Sequence, residues 1–296
     1  MKIAIIGATG KMGQWFCKEF LSQNFEVVGI GRNAEKLRAL QENLYIPVDT
    51  DFAAGVGGAD FVVLAVPLGN LSEVVQSIVD AVKSGTILLD ILSVKGNVLP
   101  ALGEICQAAG VSYVSTHPMF GPGADSIEGR NIIVTPLPEF PDAAEKVKAL
   151  FIEMGARVSE TDATFHDQMM GYVLSLPHFL NILFGAILTD SGFDVNTLKQ
   201  LGGTTFALQE FVALNVNRED PIIYGAIQME NAQFREILIR VQTFLGEYLD
   251  LIDRKDSSAF TEIMEVNREF LNQDPMSSRA YEIFYQLLDL LRGRIA

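Results

Sequence analysis

The chain has 296 residues, 49% of them hydrophobic, and a formal net charge of −15. That length fits one large domain or two of ordinary size, with enough apolar residues to bury a sizeable core. A surface this acidic repels nucleic acid and anionic membrane, so neither is expected as a partner, and an anionic ligand has to be held by local donors.

The chain opens Met1-Lys2-Ile3-Ala4-Ile5-Ile6-Gly7, which reads as a strand entering a loop and not as a secretory leader. Only two cysteines occur, Cys17 and Cys106. They make neither a disulfide framework nor a metal spacing, so the expectation is a cytoplasmic protein without a metal site.

Gly7-Ala8-Thr9-Gly10-Lys11-Met12-Gly13 follows this first strand and opens an amphipathic stretch at residues 11–21. A strand, a glycine triplet and a helix in that order make a phosphate cradle. One glycine permits a tight turn, a second lets backbone N–H groups approach a pyrophosphate, and a third lets the helix pack close to the strand. All seven residues are therefore expected to bind a dinucleotide. A second strand at 27–30 leads into Gly31-Arg32-Asn33. An NAD-binding unit usually places an acidic residue here for the ribose 2′-hydroxyl. None is present, and Arg32 offers a planar fork suited to a 2′-phosphate, so NADP is favoured over NAD.

Further strands are expected at 61–66, 86–91, 111–115, 132–135 and 156–158, with helices at 34–41, 72–82 and 143–154. Near-continuous apolar strands alternating with helices predict a parallel, doubly wound α/β sheet of the Rossmann type. Ligands of such sheets bind at the carboxyl ends of the strands. Val66 and Pro67 are accordingly expected beside the nicotinamide, and Ser93 and His117 on the same rim. Ser93 is also placed to cap a helix.

From about residue 162 the strand signals stop. Helices are expected at 165–188, 195–200, 206–215, 222–252, 257–270 and 277–292, punctuated by Gly202-Gly203, Pro221 and Pro275. The division is expected at 160/161: a dinucleotide-binding domain over 1–160, and a helical substrate-binding and dimerisation domain over 161–296. The apolar stretch 171–188 is interrupted by Pro177, His178 and Asn181 and reads as a buried helix in preference to a membrane span. The long 222–252 segment reads as one helix of the kind that packs on a partner subunit. A homodimer through this half is expected, with Phe260, Phe270, Phe284 and Tyr285 in the shared core.

All three histidines of the chain lie in local patterns able to carry chemistry. His117 precedes Pro118-Met119-Phe120-Gly121 at a strand end, the position of a general base. His178 follows Pro177 inside a helix, where proline frees a carbonyl and bends the axis. His166 and Asp167 read as first-turn residues of that helix, with the carboxylate complementing the helix dipole, a structural assignment.

Taken together, Asp90…Ser93-Val94-Lys95, His117-Pro118-Met119-Phe120-Gly121, His166-Asp167 and Leu176-Pro177-His178 resemble the prephenate/arogenate dehydrogenases of tyrosine biosynthesis, and so does the order of a Rossmann domain followed by helices. The resemblance runs over nearly the whole chain. It implies oxidative decarboxylation of prephenate (to 4-hydroxyphenylpyruvate) or arogenate (to tyrosine), with hydride passing to NADP or NAD. His117 would accept the proton of the ring hydroxyl, Ser93 would orient His117, and His178 would bind the substrate's side chain. Many family members carry an arginine shortly before the Asp-Pro matched by Asp220-Pro221. Here Asn215 aligns best and Arg218 lies about one helical turn away, so Arg218 is the candidate for the carboxylate and the choice between the two substrates stays open. Two other readings compete: a β-hydroxyacid dehydrogenase, which would rely on a lysine in the helical half, where Lys199 is the candidate, and a non-catalytic dinucleotide-binding protein.

Overall fold

The computed structural model describes residues 1–96 and 98–293. In chain order the first elements are β1 (Lys2–Ile6), α1 (Lys11–Ser22), β2 (Glu26–Ile30), α2 (Ala34–Leu44), β3 (Val48–Asp49), α3 (Phe52–Gly55), β4 (Phe61–Leu64), α4 (Leu68–Ile78), β5 (Ile87–Asp90), α5 (Val98–Ala108), β6 (Ser112–Pro118), β7 (Asn131–Thr135), α6 (Pro141–Glu153), β8 (Arg157–Glu160) and α7 (Ala163–Met170). The strands form one eight-stranded sheet in the order β3-β2-β1-β4-β5-β6-β7-β8.

Alternation along β1 shows why both sheet faces are covered. Ile3 and Ile5 point into a core built with Trp15, Phe16 and Phe20 of α1 and Val147 and Phe151 of α6. Ala4 and Ile6 point into a second core with Leu71 and Val75 of α4 and Leu99 and Leu102 of α5. Strands buried on both faces have to be apolar throughout, which is why they read as unbroken hydrophobic runs.

The expected sheet is parallel; the observed one departs from this at a single pairing, beyond which β7 and β8 both run opposite to the other strands. β6 and β7 pair antiparallel, whereas β7 and β8 are parallel again. The loop 119–130 between β6 and β7 contains no helix, the element that usually carries a parallel crossover. Trp15 pins this loop to α1: its indole N–H donates to the Ala124 carbonyl at 2.7 Å, and its ring packs on Phe120 with centroids 4.8 Å apart. α4 starts four residues earlier than the expected 72, directly after Pro67, whose φ of −58° already suits a helix start. The two-residue β3 falls below what periodicity detects.

The chain divides into two compact units. The first holds Met1–Met170 together with Met229–Ala232; the second holds Gly171–Gln228 and the chain from Gln233 onward. The last strand ends at Glu160, and α7 belongs with the strands through the contacts of His166 and Asp167 described below.

The second unit comprises a π-helical turn (Gly171–Ser175), α8 (Leu176–Asp190), α9 (Val195–Leu201), α10 (Thr204–Asn217), α11 (Pro221–Met229), α12 (Ala232–Arg254), α13 (Ser257–Leu271), a 3₁₀ turn (Ser277–Arg279) and α14 (Ala280–Gly293). Pro177 stands in the first turn of α8. It cannot donate to a carbonyl four residues back, and the helix absorbs this by widening to the π form just before it. α8 and α10 are tied by polar groups: Gln209 donates to Asn181 Oδ1 at 2.9 Å, and Asn217 donates to the Asn181 carbonyl at 3.2 Å.

Two expectations for this half are corrected. The single helix expected at 222–252 is two, α11 and α12, broken at Asn231. That residue is 2% exposed, and at the break its side chain makes a long-range bond, donating to the Asp167 carbonyl at 2.8 Å. The 171–188 helix is not buried within the chain: α8 buries Asn181 alone. The run Ala163–Asp190 is long and apolar enough to cross a membrane, with mean hydropathy 1.6 and 17% of that window buried. Its first turns, however, carry His166 and Asp167 into the polar network of the first unit.

Candidate active site

β1, β2, β4, β5 and β6 are parallel neighbours, so their carboxyl ends share one rim. The strand order reverses between β1 and β4, the switch point at which doubly wound sheets bind ligands. Gly7 takes φ +85° there, and a Cβ on it would collide with the Ala65 carbonyl at the end of β4. A Cβ on Gly13 would collide with the Gly7 carbonyl. These two glycines bring β1, β4 and α1 together. Gly10 differs: it is exposed, its φ is −78°, and a Cβ would meet only the Gly7 carbonyl at 3.3 Å. Gly10 is the N-cap of α1 and supplies no side-chain cap. The first helical bond runs from Gln14 N to Gly10 O, so the amides of the opening turn face outward, as an anion site requires. This cradle fits a dinucleotide pyrophosphate. Ala8 is buried beneath it, and Thr9, Lys11 and Met12 complete the loop.

Arg32 is exposed just past β2. The adjacent Asn33 caps α2 by accepting from Lys36 N at 2.9 Å, which fixes the turn that presents Arg32. Val66 is half-buried, its Cγ1 3.4 Å from where a Cβ on Gly7 would stand, and Pro67 is the N-cap of α4.

His117 lies on β6, 3% exposed. Its Nδ1 is 2.9 Å from His166 Nε2. His166, with no exposure, places its Nδ1 2.7 Å from Asp167 Oδ1. Asp167 is held in turn by three more bonds: Lys95 N donates to Oδ1 at 2.9 Å, Gly96 N donates to Oδ2 at 2.6 Å, and Asn231 Nδ2 donates to its backbone carbonyl. Three side chains thus run in a line from α7 to the end of β6.

Beneath this line lies a charged cluster. The Lys95 ammonium, wholly buried, is 3.3 Å from Asp90 Oδ1 and donates to the Leu92 carbonyl at 2.9 Å and the Thr116 carbonyl at 2.7 Å. Tyr113 donates to Asp90 Oδ2. The lysine therefore ties the loop after β5 to the strand that carries His117.

Burial holds His117 well below the ordinary imidazole range, and the nearby Lys95 charge and His166 push the same way. Burial also lowers His166, only partly offset by its bond to Asp167. For Asp167, burial works upward, but the bonds from His166, Lys95 N and Gly96 N outweigh it and hold the carboxyl low. The result is two neutral imidazoles in series on a carboxylate.

Two sequence-based assignments change. His166 and Asp167 are not merely helix-start residues, since His166 contacts His117 and Asp167 contacts His166. Ser93 and His117 share no hydrogen bond among the described residues, and His117 Nδ1 faces His166. Ser93 also caps no helix, because it lies half-buried in the loop after β5 and α5 begins only at Val98. The sequence did hold a signal for the pair: His166-Asp167 is one of three histidine positions and is followed at once by a carboxylate.

On the second unit, His178 stacks on Tyr224 of α11 with centroids 4.4 Å apart. Its buried Nδ1 has no hydrogen-bond partner among the described residues, and burial lowers its pKa. Asn215 and Arg218 are exposed at the end of α10, and Arg218 is its C-cap. Lys199 is also exposed, 3.8 Å from Glu210, which is no setting for a catalytic lysine.

Two family models match in tandem: the prephenate dehydrogenase nucleotide-binding domain over residues 20–160, and the prephenate dehydrogenase dimerization domain over 162–266. The first match begins after the glycine loop, so the cradle rests on its own geometry. A probable arogenate/prephenate dehydrogenase of Methanocaldococcus jannaschii is 29% identical over 270 residues, covering 90% of this chain and 60% of that protein. The T-protein of Enterobacter agglomerans is 25% identical over 258 residues, covering 87% of this chain and 64% of that protein. The chain thus spans under two thirds of the length of both. The crystal structure of prephenate dehydrogenase from A. aeolicus, in complex with hydroxyphenyl propionate and NAD+, superposes with a TM-score of 0.76 at 22% identity, covering 93% of this chain and 98% of that one. With both domain models matched in order over the same two halves, this chain belongs to the prephenate dehydrogenase family.

Proposed function

We propose that this chain is an NADP-dependent oxidoreductase that oxidatively decarboxylates prephenate or arogenate. The observation that carries the reading is His117, buried, neutral and backed by His166, on the same sheet rim as the glycine cradle. Gly7, Ala8, Thr9, Gly10, Lys11, Met12 and Gly13 hold the pyrophosphate, Arg32 the 2′-phosphate, and Val66 and Pro67 the nicotinamide end. When bound, that cofactor supplies the hydride acceptor. His117 takes the proton of the substrate's ring hydroxyl at Nε2, which raises the hydride-donor strength of the carbon that bears it. General-base catalysis of this kind contributes about 10²–10⁴-fold. Ser93, on the neighbouring strand end, is assigned to the same hydroxyl. His178 and Arg218 are assigned to the substrate's side chain. The chain works as a homodimer in the cytoplasm, in keeping with its two buried, unpaired cysteines.

The test is nicotinamide reduction by the purified full chain with NADP or NAD and prephenate or arogenate, in every pairing. Turnover with one pairing fixes cofactor and substrate together; no turnover in any pairing sinks the activity. Arg32→Ala is expected to raise the KM for NADP about tenfold or more, the scale of a hydrogen bond to a charged group, and to leave NAD unaffected. An unchanged NADP KM refutes the phosphate fork.

A further inference from the structure

We infer that His166 and Asp167 are positioning residues that set the tautomer of His117, placing its single ring proton on Nδ1 and its lone pair on Nε2. The inference deepens the general-base reading and rests on it only for its kinetic test.

The argument follows donors and acceptors along the line. Asp167 is an acceptor: its two carboxylate oxygens already receive the Lys95 and Gly96 amides. The nitrogen facing it, His166 Nδ1, must therefore be the donor. A neutral imidazole has one N–H, so His166 Nε2 is left as an acceptor. The group facing that nitrogen is His117 Nδ1 at 2.9 Å, which must then carry the proton. His117 Nε2 remains with a lone pair, makes no hydrogen bond among the described residues, and is the atom left to act as base. The reverse chain fails at both ends. A proton on His166 Nε2 alone would set the Nδ1 lone pair against the Asp167 carboxylate. A doubly protonated His166 would put a cation in a fully buried position beside the Lys95 ammonium. The titratable groups surrounding His117 are Lys95, Asp90 and Tyr113 from the cluster beneath it and His166 and Asp167 from α7. The Lys95 charge opposes a second proton on either ring.

A misplaced proton disables a histidine base without moving it, which in other enzymes costs orders of magnitude in kcat. A third residue that orients the base is the general form of this device. Here the orienting group is a second histidine with a carboxylate behind it.

The experiment is 15N NMR of ring-labelled protein without substrate, in which only three histidines need to be assigned. The expected result for the wild type is a protonated Nδ1 and an unprotonated Nε2 on His117. A His117 protonated on Nε2 overturns the proposal, whatever the enzyme's substrate proves to be. Two variants carry the kinetic arm. His166→Phe removes the acceptor and is expected to mix the His117 tautomers and lower kcat about 10²-fold, with NADPH affinity unchanged. His166→Gln can accept from His117 through Oε1 and donate to Asp167 through Nε2, and it is expected to restore the Nδ1-protonated signature and most of kcat. Wild-type kcat in His166→Phe, or a folded His166→Gln as impaired as His166→Phe, overturns it. If neither variant folds, the wild-type spectrum still decides. Absence of turnover with every cyclohexadienyl substrate would sink the proposed activity while leaving the spectrum to be read.

Discussion

Lys95 lies on no catalytic path, yet the site depends on it. A fully buried ammonium is tolerable only when its charge and its protons are matched, and here Asp90 and the carbonyls of Leu92 and Thr116 match them. Burial lowers its pKa while Asp90 opposes that shift. Lys95→Met would strand Asp90 and two carbonyls in an apolar interior. The expected cost is about 3–5 kcal/mol, read as a lower denaturant midpoint; a loss under about 1 kcal/mol would show that water or relaxation satisfies those groups. The residues differ in how far the sequence exposed them. His117 was legible because a histidine before proline at the end of an apolar strand falls on the ligand rim of this fold. Its true partner was not. His166 lies 49 positions away, and its local setting in a helix's opening turn already gave it a sufficient structural reading. Ser93 received the orienting role because it emerges on the same rim, but a shared rim does not establish a hydrogen bond.

Among elements, the glycine loop yields the sharpest contrast. Gly7 and Gly13 serve the protein's own packing, since a Cβ on either would enter a backbone carbonyl, whereas Gly10 faces outward with an ordinary φ. Gly13→Ala should therefore destabilise the fold by about 1–3 kcal/mol, the usual penalty for overpacking, and lose dinucleotide binding with it. Gly10→Ala should leave the melting temperature nearly unchanged and weaken dinucleotide binding alone. Calorimetric melting alongside titration with NADPH separates the two, and equal melting losses would refute the division of roles. The central strands of this half were legible from periodicity because each is apolar on both faces. The break at Asn231 was not, because no glycine or proline marks it and the bond made there, to the Asp167 carbonyl, is long-range. The antiparallel β7 had a signal that periodicity ignores: no helical pattern lies between it and β6 to carry a parallel crossover.

At the scale of the whole molecule, acid and association are the two levers. Burial holds His117, His166 and His178 below their ordinary value of 6.5, so the folded state keeps them neutral. As pH falls below about 6.5, the unfolded chain takes up protons that the folded one resists, so the stability these groups contribute is present above that pH and lost beneath it. The thermal midpoint should fall between about pH 7.5 and pH 5, and a flat profile would show that these rings titrate normally. Association follows from where the apolar surface lies. α9 and α13 bury no residue, and α12 buries only Phe234 and Ile237. Phe244, Leu249, Phe270 and Leu271 are each more than half exposed, and of the aromatic residues expected in a shared core Phe260 and Tyr285 are 41% exposed. A soluble chain seldom leaves so many large apolar groups in water, and such patches mark an interface. The occupant proposed is a second copy, because the domain model matched over 162–266 is described by its role in dimerization and a closed pair satisfies one self-complementary face. Light scattering at micromolar concentration should give twice the chain mass. Leu249→Asp with Phe270→Asp should halve it and lower the melting temperature, because the same residues would then be solvated in both states. A wild-type chain that scatters as a monomer would leave the apolar helices needing a different partner.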